Sequence, residues 1–214
     1  MPDERLGEYG PSFLLRVALN QSVSQGTSPS GPGDQPLSNH FDERGQARMV
    51  DVSSKPVTQR SAIAEAVVTM NEQVAQRVRG AAVAKGDVLA IARLAGIMAA
   101  KRTGELIPLC HPIGLDAVEI EFTWAETSSD APSRLVCRCR ATNRGRTGVE
   151  MEAMAAVSVT ALTVYDMLKG QQRDIAIESV RLLEKSGGRS GHWVRGETDG
   201  FVADPPNPTA ENGE

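Results

Sequence analysis

Apolar and small side chains point in almost every direction over positions 149–168, and ionisable residues are confined to the ends of the run. A surface helix carries a polar face, so a helix of this composition belongs in a core or an interface. The pattern predicts one long buried helix over 145–170. Glu150 and Glu152 fall in its first turn, where the macrodipole favours negative charge, whereas Asp166 falls near the last turn, where the dipole opposes it. Upstream, alternation over 62–70 predicts a strand. Asn71 is placed to cap a short polar helix ending near Gly80, and Asp87 to cap a second helix running through Lys101. Val118, Ile120, Phe122 and Trp124 share one face of a strand over 117–124, and Leu135, Cys137 and Cys139 repeat that period on a partner strand. A turn rich in Ser, Asp and Pro separates the two. A last strand over 176–183 is expected to place Ile177 and Ser179 on the same face. The order strand, helix, helix, strand, strand, helix, strand predicts an α+β sandwich of split βαβ topology, with helices packed on one face of an antiparallel sheet.

A chain of 214 residues fits one domain with a substantial core. Ser, Gly, Pro and Gln crowd positions 21–39 and apolar residues are sparse over 203–214, so 1–39 and 203–214 are expected to be disordered extensions of a folded domain at 40–202. The net charge of −4 gives no general basic field, which argues against nucleic acid as a partner. Three cysteines, Cys110, Cys137 and Cys139, make no disulfide framework and suit a reducing cytoplasm. The short apolar run 13–19 follows acidic Asp3 and Glu4, so no export signal is expected. No uninterrupted apolar stretch is long enough to suggest a membrane span.

Candidate chemistry lies in loops and at helix ends. Cys110 and His111 stand between Pro108 and Pro112 on a stiff segment. His111 fits an acid/base or phosphate-binding role and equally a structural hydrogen bond. Cys137 and Cys139 fit the inward face of a strand, and no zinc-ligand spacing is present. Lys85-Gly-Asp stands at a helix start, although it is no Walker loop, and Lys185-Ser-Gly-Gly-Arg-Ser-Gly offers backbone N–H groups beside two cations. Together Lys85, Lys101, Arg146, Lys185 and Arg189 suffice for a polyphosphate. Asp166 and Lys169 are spaced i, i+3 and can touch, either as an ordinary helical ion pair or, in an apolar setting, as a proton-transfer pair; the second reading is preferred. Glu152 and Asp166 lie roughly 21 Å apart along a straight helix, too far for one small-molecule pocket in one chain. Either they serve two sites or a symmetric oligomer brings one end of the helix to the other end of its copy.

The blocks His40-Phe-Asp-Glu, Arg48-Met-Val-Asp-Val-Ser, Lys85-Gly-Asp-Val, Ala95-Gly-Ile-Met-Ala-Ala-Lys-Arg-Thr, Leu106-Ile-Pro-Leu-Cys-His-Pro, Gly145-Arg-Thr-Gly-Val-Glu-Met-Glu-Ala, Tyr165-Asp-Met and Leu182-Leu-Glu-Lys-Ser-Gly-Gly resemble, in this order, the cyclic pyranopterin monophosphate synthase family. That resemblance implies a ferredoxin-like fold and a lyase of molybdenum cofactor biosynthesis. Such an enzyme turns 3',8-cyclo-7,8-dihydroguanosine 5'-triphosphate into cyclic pyranopterin monophosphate and diphosphate. It implies that Asp166, Lys169 and Lys85 are catalytic, and that Leu109, Cys110, His111, Glu150, Met151, Glu152 and Lys185 bind substrate. It further implies a homohexamer, a trimer of dimers with active sites between subunits. No cofactor or protein-bound metal is expected, although Mg²⁺ can accompany the triphosphate. The stretch after Lys169, Gly-Gln-Gln-Arg-Asp, departs from the family pattern. The alternative is a non-catalytic nucleotide- or pterin-binding module on the same fold.

Overall fold

Alternation of small and polar residues builds the sheet. The computed structural model describes residues 40–42, 44–80, 87–126, 128 and 131–196. Within these, β1 (Thr58–Met70) leads through α1 (Glu72–Arg79) to α2 (Val88–Lys101) and a single turn, α3 (Thr103–Leu106). The chain continues through β2 (Ala117–Trp124), β3 (Ser133–Gly145), α4 (Glu150–Leu168), β4 (Ala176–Ser186) and the short β5 (Trp193–Val194). The strands form one sheet in the order β2-β3-β1-β4-β5, every pair antiparallel. β1 and β2 both run against β3, which lies between them, so the connection through α2 is a split βαβ unit. The fold is α+β and ferredoxin-like, as expected.

One face of the sheet is made of small residues. Ala62, Ala64, Ala66 and Val68 stand opposite Ala141, Cys139, Cys137 and Leu135, and all are buried. Side chains this short let α4 settle close to β1, β3 and β4, with Ala153, Ala156, Val157 and Ala161 turned into the core. Both strand cysteines are core residues, and burial pushes each thiol up to about 12. Asn71 and Asp87 cap α1 and α2 as the sequence suggests, accepting from Val74 N at 2.8 Å and Ala90 N at 2.9 Å. α2 crosses α4 at Gly96, where a Cβ would fall 2.1 Å from Thr160 Oγ1 and 2.9 Å from the Ala156 carbonyl oxygen. Gly96→Ala must therefore push the two helices apart. It is expected to destabilise the fold by about 1–3 kcal/mol, read as a lower denaturant midpoint; an unchanged midpoint would show that the crossing is not tightly packed.

The other face is charged. Glu65 is buried there between Arg138 (2.7 Å) and Arg181 (2.8 Å). Burial alone would raise its pKa, but the two guanidiniums outweigh it and hold the carboxyl below its ordinary value.

Three features depart from the sequence reading. Ile177 and Ser179 lie on opposite faces, because the register between β1 and β4 slips so that Ile177 meets Val68 while Ser179 meets Val67. The long helix starts only at Glu150, since Gly145 ends β3, 146–149 forms a loop and Val149 provides no side-chain cap. It is also not buried on every side of the protomer: Leu162 and Met151 are exposed on α4, as are Ile91, Leu94 and Met98 on α2. By length and mean hydropathy (1.3) α4 passes as a membrane span, yet it packs on the sheet and on α2 as a core helix. The disorder expected for 1–39 and 203–214 falls outside the described residues.

Candidate active site

A cleft of about 420 Å³ opens where the 107–112 loop meets the first turn of α4. Leu109, Cys110, His111, Glu150, Met151 and Glu152 line it, six of the residues singled out from sequence. Local chemistry shapes each wall. The Cys110 N–H donates to the Ile107 carbonyl at 3.0 Å, closing a turn between Pro108 and Pro112 that presents consecutive side chains to the cleft. The Asp51 carboxylate accepts from Ser53 N at 2.8 Å and folds the segment that brings Val50, Val52 and Lys55 to the opposite wall. Glu150 turns back over the loop before its own helix: a Cβ on Gly148 would fall 1.8 Å from Glu150 Oε2, so a side chain there would displace the carboxylate.

His111 Nε2 lies 2.8 Å from the Val50 carbonyl oxygen. A carbonyl only accepts, so Nε2 carries the proton and Nδ1 is the atom left to exchange one. The structural hydrogen bond and the acid/base role, alternatives at the level of sequence, are therefore compatible in one ring. Glu152 is 4% exposed. Its burial, with a smaller contribution from the charge of Glu150, raises its pKa from 4.5 to about 7. Cys110 is also shifted upward, first by burial and then by Glu152, which disfavours a thiolate nucleophile. Lys185 joins the site from β4, with Nζ 3.3 Å from Glu150 Oε1 and 2.8 Å from Ser190 Oγ.

Asp166 and Lys169 do not line this cleft. They form an ion pair of 2.6 Å at the other end of α4, and both side chains are more than half exposed. The apolar setting expected for this pair is not present in the protomer. The hydrogen bond from Lys169 to Asp166 raises the lysine pKa, so Lys169 holds its proton more firmly than a free lysine. The segment after Lys169 is anchored by its own amides: Gln172 Oε1 accepts from Asn71 N (2.9 Å) and Gln171 Oε1 from Arg77 Nη1 (3.0 Å). Lys85 lies outside the described residues.

His40, Val50, Val52, Lys55, Thr147 and Gly148 line the cleft without having been assigned a role from sequence. All but Lys55 stand in the blocks that resemble the family, and that is the signal by which they could have been found. No group of three or more His, Cys, Asp or Glu among the described residues is placed to hold a metal ion.

Fold and cleft together define the class: a ferredoxin-like α+β protein whose longest helix opens into a cleft lined by two carboxylates, two histidines and a lysine. Residues 49–188 match the model of the MoaC family, and the chain belongs to that family. The cyclic pyranopterin monophosphate synthase of Heliobacterium modesticaldum is 54% identical over 158 residues, covering 74% of this chain and 97% of the relative. Cyclic pyranopterin monophosphate synthase 1 of Mycobacterium tuberculosis is 56% identical over 160 residues, covering 75% and 91%. The enzyme of that name from Thermomicrobium roseum is 54% identical over 156 residues, covering 73% and 92%.

Proposed function

We infer that the chain is a cyclic pyranopterin monophosphate synthase, a lyase of molybdenum cofactor biosynthesis. It converts 3',8-cyclo-7,8-dihydroguanosine 5'-triphosphate into cyclic pyranopterin monophosphate and diphosphate. The observation that carries this reading is the meeting of Leu109, Cys110 and His111 with Glu150, Met151 and Glu152 in one cleft, inside the stretch that matches the family. The guanine-derived ring offers adjacent N–H donors that the ionised Glu152 accepts, while His111, Lys185 and Lys55 balance charge on the phosphates as diphosphate leaves. Asp166 moves the proton, with protonated Lys169 and Lys85 as its assisting cations. No cofactor from the protein enters this reading, and Mg²⁺ can accompany the triphosphate.

In this reading the enzyme is a hexamer, a trimer of dimers, in which the far end of one α4 completes the cleft of a neighbouring copy. Two observations support an assembly. Ile91, Leu94 and Met98 of α2, with Leu162 of α4, leave apolar surface uncovered, and only 44% of the most apolar window of α4 is buried in the protomer. The distance between the two ends of α4 requires a second chain if both serve one substrate. A reducing cytoplasm suits three unpaired cysteines, two of them sealed in the core.

The test is release of diphosphate from the cyclised substrate by the purified full chain. Diphosphate and cyclic pyranopterin monophosphate should appear in equal amounts, and plain GTP should release nothing. Tight binding of the cyclised triphosphate without turnover would instead establish the binding-module alternative.

A further inference from the structure

Arg60 is a buried cation that does not line the cleft. It is 8% exposed, and no carboxylate among the described residues is paired with it. Its guanidinium instead donates to two successive backbone carbonyls of the loop before α4: Nε to Gly145 O and Nη2 to Arg146 O, each at 3.4 Å. On its other side it lies under the glycine loop that follows β4. A Cβ on Gly188 would fall 1.5 Å from Arg60 Nη1, and one on Gly187 would fall 2.1 Å from the Gln59 carbonyl oxygen. Both glycines have positive φ, +93° and +77°, so that loop follows a path only glycine takes comfortably. Lys185 ties the same two loops from the cleft side, through Glu150 and Ser190.

The carbonyls decide what the loop presents. In a trans peptide the C=O and N–H point in opposite directions, and no described peptide is cis. With Gly145 O and Arg146 O held by Arg60, the N–H groups of Arg146 and Thr147 point the other way. Neither has a hydrogen-bond acceptor among the described residues, and Thr147 lines the cleft. Successive N–H groups turned outward in this way make an anion-binding concavity. We propose that Arg60 is a positioning residue: by gripping the Gly145 and Arg146 carbonyls beneath the Gly187-Gly188 loop, it fixes the 145–148 backbone so that its N–H groups receive the phosphate end of the substrate. The inference rests on the proposed function for the identity of that substrate.

A planar guanidinium presents its Nε–H and Nη2–H groups to the two carbonyls in one fixed fork, a geometry that a lysine ammonium on a flexible stem does not reproduce, so charge alone should not substitute. Arg60→Ala and Arg60→Lys are both expected to raise KM for the cyclised triphosphate by about tenfold or more, with kcat changed much less. The affinity for inorganic diphosphate, measured by calorimetry, should weaken by a similar factor. Hydrogen exchange at the Arg146 and Thr147 amides should accelerate, and added methylguanidinium should partly restore KM in Arg60→Ala. Gly188→Ala provides a second route that keeps Arg60, since its new methyl would displace the guanidinium. In the double variant that clash is gone while the backbone strain at position 188 remains, so its effect on diphosphate affinity should be less than the sum of the two single effects. Unchanged KM and diphosphate affinity in folded Arg60→Ala, or strict additivity in the double variant, would overturn the proposal. Diphosphate binding and amide exchange need no turnover, so a wild type that fails to release diphosphate would count against the proposed function and not against the role of Arg60.

Discussion

Asp166→Ala should lower diphosphate release by about 10²–10⁴-fold, the range for loss of a positioned acid or base, and leave the stability of the fold unchanged. The two halves of that expectation come from different facts. Asp166 is more than half exposed in the protomer, and an exposed ion pair such as the one it makes with Lys169 adds little to stability. The reaction depends on it only if another chain brings a cleft to this end of α4. Asp166→Ala and Glu152→Ala should therefore each be inactive alone and complement when mixed. With equal amounts and random exchange about half of the dimers are mixed, each with one intact site of two, so about a quarter of wild-type activity should return. No recovery, with exchange demonstrated by mass-tagged subunits, would mean that Asp166 and the cleft do not share a site. Full activity in Asp166→Ala alone would remove the residue from the mechanism.

The two sides of that argument were unequally legible in the sequence. Helix caps are local, and Asn71 and Asp87 could be read from residue type and position alone. Period-two patterns were equally safe where the sheet is regular, as in the matched faces of β2 and β3. They failed in β4, because a slip in register exchanges faces without leaving a mark in residue type, and Ile177 and Ser179 consequently part. The start of α4 was misplaced for a related reason. Gly145 and Gly148 permit a loop that the apolar run beyond them conceals, and that loop is what Arg60 and Glu150 hold. Cleft residues contributed by short motifs, such as Cys110 and His111, could be named. Those contributed by the long segment 48–57 could not be given a role, since nothing in its composition says that Asp51 folds it toward His111. The apolar wrapping of α4 was legible, but which side of it stays open in the protomer depends on α2 and could be seen only in three dimensions.

Glu152 links the site to stability with opposite signs. Its pKa rises on folding from 4.5 to about 7, chiefly because burial penalises the carboxylate and secondarily because Glu150 is near. Between those two values the folded chain binds a proton that the unfolded chain has released, so stability falls as pH rises through this window and is level above it. Below pH 4.5 the carboxyl is neutral in both states and costs nothing. At about 1.4 kcal/mol per pKa unit, the ionised form is disfavoured by about 3 kcal/mol at pH 8. Glu152→Gln keeps the shape and removes the charge, so it should stabilise the protein by about that amount at pH 8 and by almost nothing at pH 4.5. Activity should move the other way. If the ionised carboxylate accepts the N–H donors of the guanine-derived ring, wild-type kcat/KM climbs as pH passes about 7, and Glu152→Gln loses both the climb and most of the rate. Denaturant midpoints and kcat/KM, followed across the same pH series for both proteins, test the two signs together. Parallel stability profiles from pH 4.5 to 8 would show that Glu152 ionises in the folded chain as it does in the unfolded one. A variant with undiminished activity at pH 8 would show that the charge is not what the substrate meets.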